Sequence, residues 1–147
     1  MADRIVELLI GQSAVHVLDD LRARGERAGP AMAIVAEMLV TRVDDEYETA
    51  GHGTWDPLAE STLRKRRRKG RGAQILKDTG RAAGSTHGEH SDEHAAAYTD
   101  VAYMIFHASS APRRIIPYRN PFDLASPDDV AEEAAQTIVD WVAHGRA

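Results

Sequence analysis

No cysteine occurs among the 147 residues, which excludes disulfides and thiolate metal sites and suits a reducing compartment. Aromatics are scarce too: two Phe, four Tyr and two Trp leave any core to be built mainly from Ala, Val, Leu and Ile, which bury less area per residue. No apolar run approaches the roughly 18 to 20 residues that cross a bilayer. The opening Met1-Ala2-Asp3-Arg4 lacks the basic and apolar regions of a signal peptide. A soluble protein made in the cytoplasm, with no membrane partner, is the expectation. Compact enzyme signatures are missing as well: there is no G-x-S-x-G elbow, no P-loop, no G-x-G-x-x-G after a strand and no H-E-x-x-H. The sequence therefore predicts no catalytic residue, no metal and no cofactor.

Positive charge is concentrated in one place. Seven of the 18 Lys and Arg residues fall between positions 64 and 71, and the remainder of the chain is clearly acidic within a net charge of −5. Such asymmetry can steer association or orient a surface in an assembly.

The length fits one domain, residues 1–147, able to bury roughly two-thirds of the surface its unfolded form exposes. Ile5, Leu8, Leu9, Val15, Leu18 and Leu21 recur at a mostly helical period before Gly25 and Gly29-Pro30. Met32, Val35, Leu39, Val43 and Tyr47 then step by three and four along a second helix, closed by Gly51 and Gly53, so the two form a helical hairpin. A third helix is expected with Asp56 as N-cap, Pro57 in its first position and Glu60 in its first turn. It runs to about Lys69, with its cations at the negative end of the dipole.

Residues 81–100 are polar and rich in His, Gly, Ser and Thr, and they read as a β-hairpin with a flexible tip. Residues 101–107 are too apolar for a surface loop and fit either a strand or a short helix. Pro112, Pro117 and Pro121 make 111–124 extended. Ser126-Pro127-Asp128-Asp129 combines an N-cap, a first-position Pro and first-turn acids ahead of the stripe Val130, Ala134, Ile138, Trp141, which predicts a final helix from Pro127 to about His144. The fold class is α+β: a helical hairpin, a basic third helix, a small antiparallel sheet and an amphipathic C-terminal helix.

Four constellations invite a functional reading. His87, His90 and His94 have the spacing of a zinc site only if their segment is helical, and its composition favours a solvated hairpin tip. Asp44, Asp45, Glu46 and Glu48 point in different directions around a helix, so they read as a solvated end. Arg64, Lys65, Arg66, Arg67, Arg68, Lys69 and Arg71 spread around most of a helix circumference. They suit an inter-subunit face, a DNA-facing surface or a solvated helix equally. Trp55 is either a plug over the helical hairpin, the favoured reading, or an interface anchor.

Taken in order, Trp55, Pro57, Leu58 and Thr62, then Ile75, Leu76, Asp78, Thr79, Gly80, Arg81 and Ser85, form two motifs. Tyr103 and His107 follow, then Ile116-Pro117-Tyr118-Arg119-Asn120-Pro121-Phe122 and the capped last helix. This order resembles the virion morphogenesis (tail completion) proteins of tailed bacteriophages. Departures are Ala82 or Ala83 for a usual Leu, Ser109-Ser110 where Gly often follows, and the inserted Asn120. In the second motif Asp78 and Thr79 are expected to bond nearby backbone N–H groups and Gly80 to take a positive φ, making a turn from the basic helix to the sheet.

The resemblance implies a structural virion protein at the head–tail junction, a homohexameric ring that touches the head connector or stopper and the tail tube. Contact with packaged DNA is non-specific in that reading. The alternative is a DNA-binding accessory protein using residues 64–71; a histidine-metal hydrolase is the third.

Overall fold

The computed structural model describes residues 12–109 and 116–146, with the side chains of 12–14 left out. The expected helix positions Ile5, Leu8 and Leu9 and the prolyl position Pro112 lie outside the described residues. Helix α1 spans Gln12–Glu26, α2 Gly29–Thr49, α3 Glu60–Arg68, α4 Ile105–Ala108 and α5 Pro127–His144; β1 is Thr86–His90 and β2 Ala95–Thr99. Helices with one small antiparallel sheet make the α+β class expected.

Helix α2 is the central post. It buries Ala31, Val35, Ala36, Val43, Glu46 and Tyr47, while Met32 and Leu39 of the expected stripe are only half-buried. The buried face is turned toward alanines because the β-hairpin crosses α2 at close range. A Cβ on Gly88 would lie 3.3 Å from Ala36, so small residues are needed on both sides. Both strands and α5 pack on α2, while α1 lies against α5 rather than folding back along α2, so the helical hairpin expected of the first two helices is not formed among the described residues: the small residues of the α2 face are taken by the strands instead. Trp141 fastens that second layer, its Nε1 donating to the carbonyls of Arg24 and Arg27 at 3.2 Å each.

The hairpin pairs Thr86 with Thr99 through His90 with Ala95, and Ser91 N–H donates to the His94 carbonyl at 2.8 Å to close the tip. That tip is tethered rather than loose: Asp92 Oδ1 accepts the backbone N–H of Gly29 at 2.7 Å. Gly29 is the first residue of α2, so a carboxylate sits where orphan N–H groups and the helix dipole favour negative charge. Residues 102–104 make a single 3-10 turn that runs into α4, which settles the ambiguous apolar segment as helical.

Two local expectations are corrected. Helix α3 begins at Glu60 with Ala59 as N-cap, three residues later than Pro57, and Asp56 caps nothing. Its cause is long-range: the Asp56 and Pro57 carbonyls both accept from the Arg119 guanidinium, which holds 56–59 extended. The acidic end of α2 is not uniformly solvated either. Glu46 is 3 % exposed and accepts the Ala125 N–H at 2.8 Å, 79 residues away. Helix α5 spans the predicted residues, Pro127 to His144, and ends on Gly145 at φ 70°; Ser126 holds the N-cap position but its side chain makes no cap hydrogen bond.

Candidate functional site

The core forms where α2 meets the connecting segments. Val43, Tyr47, Ala82, Val101 and Met104 are buried together, and Trp55, Leu76, Phe122 and Leu124 pack on them. The motif elements therefore converge on one place, the face of α2 around Tyr47. Burial pushes the Tyr47 phenol up to about 12, and its hydroxyl points at the Met104 sulfur, 3.9 Å away.

Trp55 stands edge-on to Tyr47, with ring centroids 6.3 Å apart and planes at 86°. Trp55 is thus a plug, as expected, but over the core on α2 and not over a pair of helices. The chain reaches that position through a left-handed run in which Ala50, Gly51, His52 and Gly53 all have positive φ. The indole lies directly over Gly51, where any Cβ would overlap the ring. Two non-glycine residues in this run, each costing about 1 kcal/mol or more, mark it as held by its surroundings.

Below Trp55, the Pro57 side chain is exposed while Leu58 and Thr62 are half-buried. Arg119 locks this element in place. It is 7 % exposed, with Nη2 donating to the Asp56 carbonyl at 2.6 Å and the Pro57 carbonyl at 3.2 Å, and Nε to Asp56 at 3.1 Å. Burial draws its pKa down, with nearby Asp56 opposing and Arg66 reinforcing the shift. A fork donor meeting two carbonyls is what arginine does and lysine cannot. Sequence reasoning placed Arg119 in a motif but gave it no role, because its acceptors lie 62 and 63 residues away.

The second motif is the turn expected, built differently in detail. Gly80 takes φ 75° as foreseen, but Leu76 also has a positive φ, 57°, while packing on the core. Ile75 is half-buried; Thr79 and Arg81 are exposed. Asp78 does not cap the turn's backbone. Its carboxylate instead takes Arg71 Nη1 at 2.5 Å and Arg66 Nε at 3.3 Å. Lys77 pairs with Glu48 of α2 and holds that carboxyl below the usual carboxylate range. Ser85 closes the motif against the sheet, its Oγ 2.7 Å from Thr99 Oγ1 and donating to the Ala82 carbonyl at 2.8 Å. Tyr103 is exposed, and the His107 carbonyl accepts the Arg119 N–H at 3.1 Å.

The basic run is divided by these contacts. Arg66 points inward, its side chain 11 % exposed and its Nη1 also donating to the Gln74 carbonyl at 2.6 Å; Arg67 pairs with Glu60. Arg64, Lys65, Arg68 and Lys69 are exposed and have no ion-pair partner among the described residues. At about 100° per residue these four, counting Lys69 as the C-cap of α3, fall within an arc of about 140°, so the charge left without an ion pair is a stripe rather than the full circumference.

The three histidines lie on or beside the strands rather than on a helix. The His87 ring faces Tyr98 at 5.6 Å across the hairpin, and His94 Nδ1 is 2.8 Å from Ser91 Oγ. Among the described residues no group of three His, Asp or Glu is placed to hold a metal ion.

The family model described as the phage virion morphogenesis family matches residues 11–122, a span containing the Trp55 element, the 75–81 turn, the hairpin and the Arg119 clamp. The chain belongs to the phage virion morphogenesis family. No curated protein and no solved structure matches it. As a virion morphogenesis protein it is a phage structural or assembly component, and no described helix is long and apolar enough to cross a membrane. Trp55, Leu76 and Phe122 meet on the core around α2, Arg119 clamps the segment between Trp55 and α3, and exposed charge follows on α3.

Proposed function

We propose that this protein is a neck component of a tailed phage particle. It completes or terminates the tail and joins it to the head connector as a homohexameric ring, without catalysis. The observation that carries the reading is the family match across the scaffold, whose motif side chains are engaged in holding segments together and leave charged helix faces for neighbours. A ring needs a heterologous interface, one face meeting a different face of the next copy. The connector or stopper above and the tail tube below are the expected partners. Removal of the gene from a phage that carries it tests this: filled heads and finished tails accumulate unjoined, and supply of the protein restores joining. Normal infectious particles in its absence sink the reading.

The exposed stripe Arg64, Lys65, Arg68 and Lys69 supports a second reading, a duplex-DNA contact through phosphate neutralisation. That reading predicts steep loss of duplex affinity with added salt, and absence of binding at low salt removes it.

A further inference from the structure

The unpaired cations of α3 have a counterpart elsewhere in the fold. Residues 120–145 contain six acids and no Lys or Arg. Four of those acids, Asp128, Asp129, Glu132 and Glu133, are exposed on the first turns of α5, and the last three line an open groove that continues to Asp140. Their spacing is i, i+1, i+4, i+5. Arg64, Lys65, Arg68 and Lys69 have the same spacing. Each set fills a helix arc of about 140° and extends about 7.5 Å along its axis.

Helix dipoles account for part of this, since acids are favoured in a first turn and cations in a last. They do not account for Glu132, beyond the first turn, or for a segment of 26 residues without a Lys or Arg; Glu133, also beyond the first turn, is shared with Arg42 of the same copy. Within one copy the ion pairs of α3 go to its own Glu60 and to Asp78, and that of α5 goes from Glu133 to Arg42 of α2; none joins α3 to α5 among the described residues.

Resting on the ring reading above, we propose that the four-cation stripe of α3 on one copy docks on the four-carboxylate stripe of α5 on a second copy. Antiparallel placement sets the two short stripes side by side and opposes the helix dipoles favourably. The two patches differ and lie on one chain, so the contact is heterologous and propagates head to tail. A second copy fits better than DNA, because the same chain carries the matching acidic stripe and a net charge of −5 that repels phosphate.

Sedimentation velocity of the full chain over a concentration series tests this. The wild type associates at low salt and loses at least about tenfold in association constant toward 1 M salt, where the screening length is only about 3 Å. Arg64→Glu with Arg68→Glu, or Asp128→Lys with Glu132→Lys, each weaken association by at least about tenfold, the scale of close charge pairs. All four changes in one chain restore it, and an equimolar mixture of the two pair variants also associates. Where circular dichroism shows a reversal variant unfolded, Arg64→Gln with Arg68→Gln and Asp128→Asn with Glu132→Gln replace it; combined, they then weaken association no further than either pair does.

A wild type that stays monomeric at low salt overturns the proposal, as does a four-fold variant as weak as its parents. Added duplex whose binding depends on the α3 pair while self-association does not assigns the stripe to DNA and overturns it too. A monomeric chain that is nevertheless present in particles leaves the neck reading standing and removes only this interface.

Discussion

Replacement of Arg119 by Ala removes the donor that holds residues 56–59 extended. Arg119 as a whole is 7 % exposed, and its guanidinium serves two backbone carbonyls, 2.6 to 3.2 Å from Nη2 and Nε. The two carbonyls belong to exposed residues and can be rehydrated, so the loss is chiefly that of the charge-assisted hydrogen bonds, about 1.5–3 kcal/mol each, and relief from desolvating the cation returns part of that, leaving a net loss of about 2–4 kcal/mol. For a chain of this length that lowers Tm by roughly 5–15 °C. Urea unfolding followed by far-UV circular dichroism measures the loss. Hydrogen exchange adds the location, with faster exchange expected at the start of α3, where Thr62 and Leu63 N–H groups bond to the Ala59 carbonyl. Arg119→Lys recovers less than half, because an ammonium cannot span both carbonyls in one plane. A loss below about 0.5 kcal/mol for Arg119→Ala, or a Lys variant as stable as the wild type, refutes the clamp.

Gly51→Ala sets a methyl into the Trp55 ring at φ 63° and costs roughly 2–4 kcal/mol by denaturant unfolding, where a near-neutral result contradicts the plug geometry. Asp92→Ala removes the carboxylate from the first N–H of α2 and costs about 1 kcal/mol, with hydrogen exchange rising at both the hairpin tip and Gly29; a rise at the tip alone argues against the tether. Lys77 holds the Glu48 carboxyl below its usual range, so this pair stabilises the fold above the unfolded carboxylate pKa and that contribution fades as pH falls through the lowered folded value. NMR titration of Glu48 shows a lowered midpoint that Lys77→Ala returns to the ordinary range, and an unchanged midpoint in that variant removes the pair from the account.

Local chemistry marked the elements whose signals are local. Ser126-Pro127-Asp128-Asp129 located α5 to its first residue, and Gly80 announced the positive φ it adopts. The sequence failed where the deciding partner was distant. Asp56-Pro57 is a good helix start by itself, yet Arg119 captures the carbonyls and delays the helix to Glu60. Glu46 sits in an acidic run that reads as solvated, yet the Ala125 N–H 79 residues on lets it be buried. The basic run could not be divided into inward and outward members until Asp78 was seen holding Arg66 and Arg71. Leu76 in a left-handed conformation has no sequence signal, because that region is ordinarily left to glycine and asparagine.

Imaging of the assembled particle decides whether this family member is a neck protein. Cryo-electron microscopy of virions from a phage carrying this gene is expected to show the α2-centred fold as a ring between the head connector and the tail tube, with α3 of each copy facing α5 of the next. Particles in which the density at that junction belongs wholly to other proteins, or in which this chain is absent, contradict it.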